Sequence, residues 1–165
     1  MSTLEMFKLK GVAGLADRYL AKNEAGRRAM LGGEIAGLPN STITPGLFKD
    51  GKPVLIDRLE WYFTPNDIVR IYDWIRHNSE GGAGAEARKI LAINGALPPA
   101  SATAWAYVGY KGGSEPGVIN LSWLLQGKDG NWYVVTGSWN DPVNAVDLTK
   151  FFGLLSRAVD LTAPK

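Results

Sequence analysis

These 165 residues predict an α+β fold, an antiparallel sheet flanked by helices. Three observations carry that expectation. Apolar residues recur at helical spacing through much of the first 93 positions. Three strand-like runs then lie close together between residues 104 and 139. The last two are joined by Gly127-Lys128-Asp129-Gly130, a hairpin loop by composition and length. A final helical stretch has an apolar face suited to covering the resulting sheet.

The elements follow in order. Ser2-Thr3-Leu4-Glu5 reads as a capping box, in which the Ser2 hydroxyl and Glu5 carboxylate satisfy amides that a helix start leaves unpaired. Met6, Leu9, Val12, Ala13, Ala16 and Leu20 continue that helix to about residue 22. A second helical piece, rich in Ala, Arg and Leu, covers 24–35 and stops at Gly37-Leu38-Pro39. Residues 38–57 form a loop of Pro, Gly, Ser and Thr, within which 48–54 fit a small hairpin turning at Asp50-Gly51.

Thr64-Pro65-Asn66-Asp67 supplies an N-cap, a proline at the first helical position and an acid in the first turn. A helix is expected from there to Asn78, with Ile68, Ile71, Tyr72 and Ile75 on one face. Gly81-Gly82-Ala83-Gly84 reads as a flexible break, 85–93 as a short helix and 97–102 as a proline-containing connector. Strands are expected at 104–110, 118–126 and 132–139. Asp141-Pro142 then caps a last helix over 143–159, laying Val146, Phe151, Leu154, Leu155 and Ala158 on the sheet. In domain terms, 1–103 is mainly helical, 104–165 is the three-stranded sheet with its helix, and together they make one partial domain.

Composition narrows the chemistry. At 45% hydrophobic and 21% charged residues, the chain reads as a globular domain able to bury a core without disulfides or metals. Having no cysteine, it offers no thiol catalysis and no zinc–thiolate site, and no cofactor or metal is expected. A net charge of +2 with both signs interspersed does not point to a nucleic-acid partner. No apolar run approaches the ~20 residues that span a bilayer, so no membrane partner is expected. Met1 is followed directly by a helical pattern, without the basic and apolar regions of a signal peptide.

Lys111-Gly112-Gly113-Ser114 falls where the first strand is expected to end. A lysine followed by two residues without side chains lets a ligand approach the backbone closely and meet a positive charge. The same residues also read as a glycine-rich turn into a hairpin with an incidental lysine, and on residues alone both readings stand. The order of a phosphate-binding loop is absent, and a strand rather than a helix follows. His77 is the only histidine, so these residues alone build no Ser-His-Asp triad, and its place in a last helical turn suits an electrostatic or surface role. Glu86 and Asp73 have no spacing that singles them out. The tryptophans at 61, 74, 105, 123, 132 and 139 suit core and sheet-face packing more than an aromatic groove.

Taken in order, the second half resembles the C-terminal part of the class A β-lactamase family and its penicillin-recognising serine-hydrolase relatives. The resemblance runs from Thr64 to about Val159. Thr64-Pro65-Asn66-Asp67-Ile68-Val69-Arg70 is similar to the family's Thr-Pro-x-Asp helix start. Ala87-Arg88-Lys89-Ile90-Leu91 and Asn94-Gly95-Ala96-Leu97-Pro98 resemble the helix and connector before the catalytic strand. Lys111-Gly112-Gly113-Ser114 then falls on the Lys-Thr/Ser-Gly box, and strand, loop, strand and terminal helix follow in the family's order.

The resemblance implies a β-lactamase/transpeptidase-like fold and opening of an amide, typically a β-lactam, through an acyl-serine. It implies a small peptide-like or β-lactam substrate held by Lys111, Gly112, Gly113, Ser114 and Glu115. In that reading Lys111 attracts the substrate carboxylate and tunes proton transfer, while the Ser114 amide donates in the oxyanion hole. Where the family has a hydroxyl residue after the lysine, this chain has Gly112; Ser114 is the residue placed to substitute. Family members usually work in the periplasm or outside the cell.

None of the serines at 2, 41, 79, 101, 114, 122, 138 and 156 has a lysine three residues on, so the Ser-x-x-Lys nucleophile is missing. Ser138-Trp139-Asn140 matches the family's Ser-x-Asn only in letters, because it follows the lysine box, and no Glu-x-x-x-Asn is present. The chain therefore reads as a C-terminal half that does not acylate by itself. A non-catalytic module binding cell-wall or β-lactam carboxylates and a structural domain are the rival readings. In the family, further strands pair beyond the run at 132–139, so here that run is expected to be an aromatic-rich free edge. Marginal stability or self-association through it is the physical consequence.

Overall fold

The computed structural model describes residues 1–43 and 46–164. The α+β class is observed: helices pack around one three-stranded antiparallel sheet. The Ser2–Glu5 capping box forms and starts α1, Thr3–Gly11. The helix then breaks earlier than the apolar spacing predicts. Gly14 takes a left-handed conformation (φ 71°) and starts a separate α2, Leu15–Leu20. Asn23 caps α3, Glu24–Met30, which continues as a π-helical turn, Leu31–Ile35. The Lys8 ammonium donates to the Ile35 carbonyl (3.1 Å) at the end of that turn. Leu9, Leu15, Ala16, Tyr19, Ile35 and Leu59 form the core of this first region.

The Asp50-Gly51 hairpin does not form. Gly51 turns the chain with φ 67°, but among the described residues no strands flank it, so no sheet bonds reward a hairpin there. The neighbouring Thr44-Pro45 lie outside the described residues.

Thr64 caps α4, Pro65–His77, as expected, and the Asp67 side chain returns the bond by accepting from the Thr64 amide; the helix ends at Asn78. α5, Gly82–Ala92, starts three residues before the expected position and absorbs the glycines read as a break. Gly84 is needed there, since a Cβ would overlap the Asn78 carbonyl where the two helices meet. The 97–102 connector holds a single helical turn, α6, Pro99–Ala102.

β1 is Trp105–Glu115, β2 Val118–Gly127 and β3 Trp132–Asn140, in the order β1-β2-β3. β1 runs five residues past its expected end, so Lys111-Gly112-Gly113-Ser114 lies within the strand. The turn is Pro116-Gly117, with Gly117 at φ 84°, the geometry a type II turn needs. β1 and β3 are the sheet's edges, and β3 pairs only with β2 among the described residues.

The last helix, α7, is Leu148–Thr162, starting five residues later than expected. Asp141 does cap, but it caps a turn, accepting from the Val143 and Asn144 amides (2.8 and 2.9 Å). Asp147 starts the helix by accepting from the Lys150 amide. Val146, Phe151, Phe152, Leu155 and Val159 pack on Trp105, Ile119, Leu121, Trp123 and Leu125. Leu154, expected on the sheet, points to solvent at 58% exposure, because the shifted helix turns it outward. The tryptophans divide: Trp105 and Trp123 are buried, while Trp61 and Trp74 are exposed. Among the described residues no helix is long and apolar enough to cross a membrane.

Candidate functional site

Two backbone hydrogen bonds fix the orientation of the strands. Asp141 N–H donates to the Gly117 carbonyl (2.8 Å), and Gly127 N–H donates to the Asn131 carbonyl (2.9 Å). Both bonds follow the continuous β2–β3 register, so the odd-numbered β2 residues aim their backbone groups at β3. Its even-numbered residues therefore face β1. They meet Lys111, Gly113 and Glu115 through the pairs Lys111↔Ser122, Gly113↔Asn120 and Glu115↔Val118. The amides and carbonyls of Gly112 and Ser114 consequently point away from β2, to the free edge. A donor at that edge is available to a ligand without breaking the sheet.

Side chains sort onto two faces. Tyr110, Gly112 and Ser114 share the α7 face with Ile119, Leu121 and Trp123. Lys111, Gly113 and Glu115 share the other face with Asn120 and Ser122. Lys111 does not stay there. Its ammonium reaches the carbonyl of Gly112 and so sits at the free edge itself. Gly113 has open space where a Cβ would stand, so the edge is open at this residue on Lys111's face.

On the α7 face lies a pocket of about 540 Å³. Gly112, Gly113 and Ser114 form its strand wall, Leu148 and Thr149 at the start of α7 form the opposite wall, and Ile119, Leu121 and Phe152 lie between. Tyr110 completes it. A Cβ on residue 112 would overlap the Tyr110 hydroxyl, so the ring occupies the space that a side chain at Gly112 would take. That contact is a physical reason for glycine at this position. Tyr110 packs against Trp123 with centroids 5.1 Å apart, and burial pushes its phenol above the usual range.

Behind the edge, polar side chains order the sheet. Ser122 Oγ donates to Asn120 Oδ1 (2.9 Å) and bonds Thr136 Oγ1 (2.7 Å), and Asn120 Nδ2 donates to Ser138 Oγ (2.8 Å). The buried Tyr72 hydroxyl of α4 donates to the Ser122 carbonyl (3.0 Å), fastening the Thr64-capped helix to the strand beside Lys111. Next to Ser114, the buried Lys10 side chain brings its ammonium against the carboxylates of both Glu60 and Glu115. One cation serves two acids there. Burial, then the adjacent Glu60 carboxyl, push Glu115 up to about 7, with Lys10 opposing.

The structure thus brings Lys111, Gly112, Gly113 and Ser114 to one edge and pocket, while Glu115 is turned into an ion cluster. Sequence reading missed Thr149, which only the fold places there, and Lys10 and Glu60, which are 105 and 55 residues from Glu115. His77 is exposed at the end of α4, 3.4 Å from Asp73, and takes no part in the edge. Among the described residues no group of three or more His, Asp or Glu side chains is placed to hold a metal ion. Neither a protein-family model nor a curated protein matches the chain.

Proposed function

We propose that the free edge of β1 from Lys111 to Ser114 is the substrate-holding wall of a β-lactamase-like, penicillin-recognising serine hydrolase. On this reading the chain corresponds to the C-terminal half of the β-lactamase/transpeptidase-like fold. The observation that carries it is the Ser114 amide directed to a free edge three residues beyond a lysine whose ammonium sits on that edge. A carboxylate-bearing amide laid along β1 meets the ammonium at one end. Its reacting carbonyl meets the Ser114 N–H, which donates to the oxygen as negative charge develops on it. The serine that attacks, forming the acyl–oxygen bond while the carbon–nitrogen bond breaks and the amine leaves with a proton, comes from outside these 165 residues. Peptide-like or β-lactam small molecules are the proposed substrates, and the periplasm or cell exterior is the proposed site of action.

Incubation with a fluorescent penicillin, followed by mass spectrometry, tests this. Reversible binding that is lost in Lys111→Ala, with no covalent adduct, is expected. A covalent adduct on this chain would overturn the assignment of the nucleophile elsewhere. Lys111-dependent binding that no added serine-bearing partner converts to acylation would favour a non-catalytic carboxylate-binding module. Binding indifferent to Lys111→Ala would leave β1 a structural strand.

A further inference from the structure

We infer that the pocket between β1 and the start of α7 receives a bulky apolar side chain of an extended peptide that pairs with the free edge of β1. This rests on the reading of that edge as a substrate wall, and it names the ligand class. Residues directly opposed in a sheet place their side chains on the same face. A ligand residue opposite Gly112 therefore sends its side chain to the α7 face, where Ile119, Leu121, Leu148 and Phe152 offer apolar surface and the Tyr110 and Thr149 hydroxyls lie at the walls.

The two neighbouring ligand residues turn to the opposite face, where Gly113 leaves open space and the Lys111 ammonium lies at the edge. Acidic residues are the complement there. Backbone amides and carbonyls at Gly112 and Ser114 supply the pairing, and alternate side chains supply the selectivity, as in strand addition generally.

The test is a calorimetric titration of the chain with acetyl-Thr-Asp-Phe-Asp-Thr-amide, with its Phe→Ala version and with its version carrying Asn at both Asp positions. Saturable binding is expected, weakened about tenfold or more by loss of the phenyl ring and weakened also by the Asn version. Thr149→Trp fills the pocket from an exposed position and Ser114→Pro removes an edge amide that the β1–β2 ladder does not use; either should suppress binding. Circular dichroism checks that each variant keeps its fold. Equal affinity for the Phe and Ala peptides, or unchanged binding to both variants, would overturn the inference. A parallel titration with 6-aminopenicillanic acid separates it from the wall reading. If that compound binds in a Lys111-dependent way and the peptide does not bind, the pocket assignment fails and the wall stands. If neither binds, both fail.

Discussion

Replacing Glu115 by glutamine should remove much of the pH dependence of this chain's stability between about pH 4.5 and 7. Glu115 shares the buried Lys10 ammonium with Glu60, and its side chain is only 14% exposed. Its carboxyl is pushed from 4.5 up to about 7, by burial first and by the Glu60 carboxyl second. Within that window the folded chain holds a proton that the unfolded chain has released, so stability falls as pH rises and then levels off above the folded value. Each pH unit of difference is worth about 1.4 kcal/mol, so the full shift bounds the loss at about 3.5 kcal/mol, and solvent screening of the partly buried carboxyl brings it to about 2–3 kcal/mol. A glutamine amide still donates to Glu60 and accepts from Lys10, and it does not titrate.

Urea unfolding followed by tryptophan fluorescence at pH 4.5 and at about pH 8 measures the effect. The stability of Glu115→Gln relative to the unaltered chain should rise by about 2–3 kcal/mol between the two pH values. Glu60→Gln, which leaves one acid for one cation, should flatten the profile only in part, because burial, the larger cause, remains. A difference between Glu115→Gln and the unaltered chain that stays constant across the window would refute the shared-cation account.

Other outcomes follow from the same structure. Lys10→Met leaves the partly buried Glu60 and Glu115 without their shared cation and should destabilise by up to about 3 kcal/mol at neutral pH, read from the urea midpoint. Thr64→Ala removes the side chain that accepts from the Asp67 amide and should cost about 1 kcal/mol in the same assay. Gly84→Ala drives a Cβ into the Asn78 carbonyl and should destabilise by about 2 kcal/mol, whereas Gly113→Ala enters open space and should cost less, as thermal melts will show. β3 carries no charge and no proline, and its even-numbered residues aim their backbone groups outward. Sedimentation should therefore be concentration-dependent, and Ser138→Lys should suppress the association.

Local signals were legible wherever a side chain acts on its own backbone. The Ser2–Glu5 capping box, the Thr64 N-cap and the Gly127–Gly130 turn were readable because Ser2, Thr64 and the loop residues act within a few positions. Glycine and proline misled where tertiary contacts decide. Gly112 and Gly113 looked like a strand end, yet they remain in β1 because Tyr110 occupies one side of Gly112 and β1 is an edge. Asp141-Pro142 looked like a helix start, but the chain first makes a turn that lets Val146 reach the sheet core. At the candidate site, Lys111 and Ser114 were singled out only through the resemblance to the β-lactamase family, since the glycines between them put the expected strand end at 110 and left a plain turn equally open. Thr149 was not, since it lies beside the strand only once α7 packs on the sheet. Lys10 and Glu60 were hidden for the same reason, with one buried ammonium joining three distant segments.

The most direct test of the substrate wall is an amide-resolved NMR titration of the isotope-labelled chain with benzylpenicillin. Shifts centred on Gly112, Gly113 and Ser114, abolished in Lys111→Ala while the spectrum elsewhere is preserved, are the expected result. Shifts confined to other surfaces, or shifts at this edge that persist without the lysine, would contradict it.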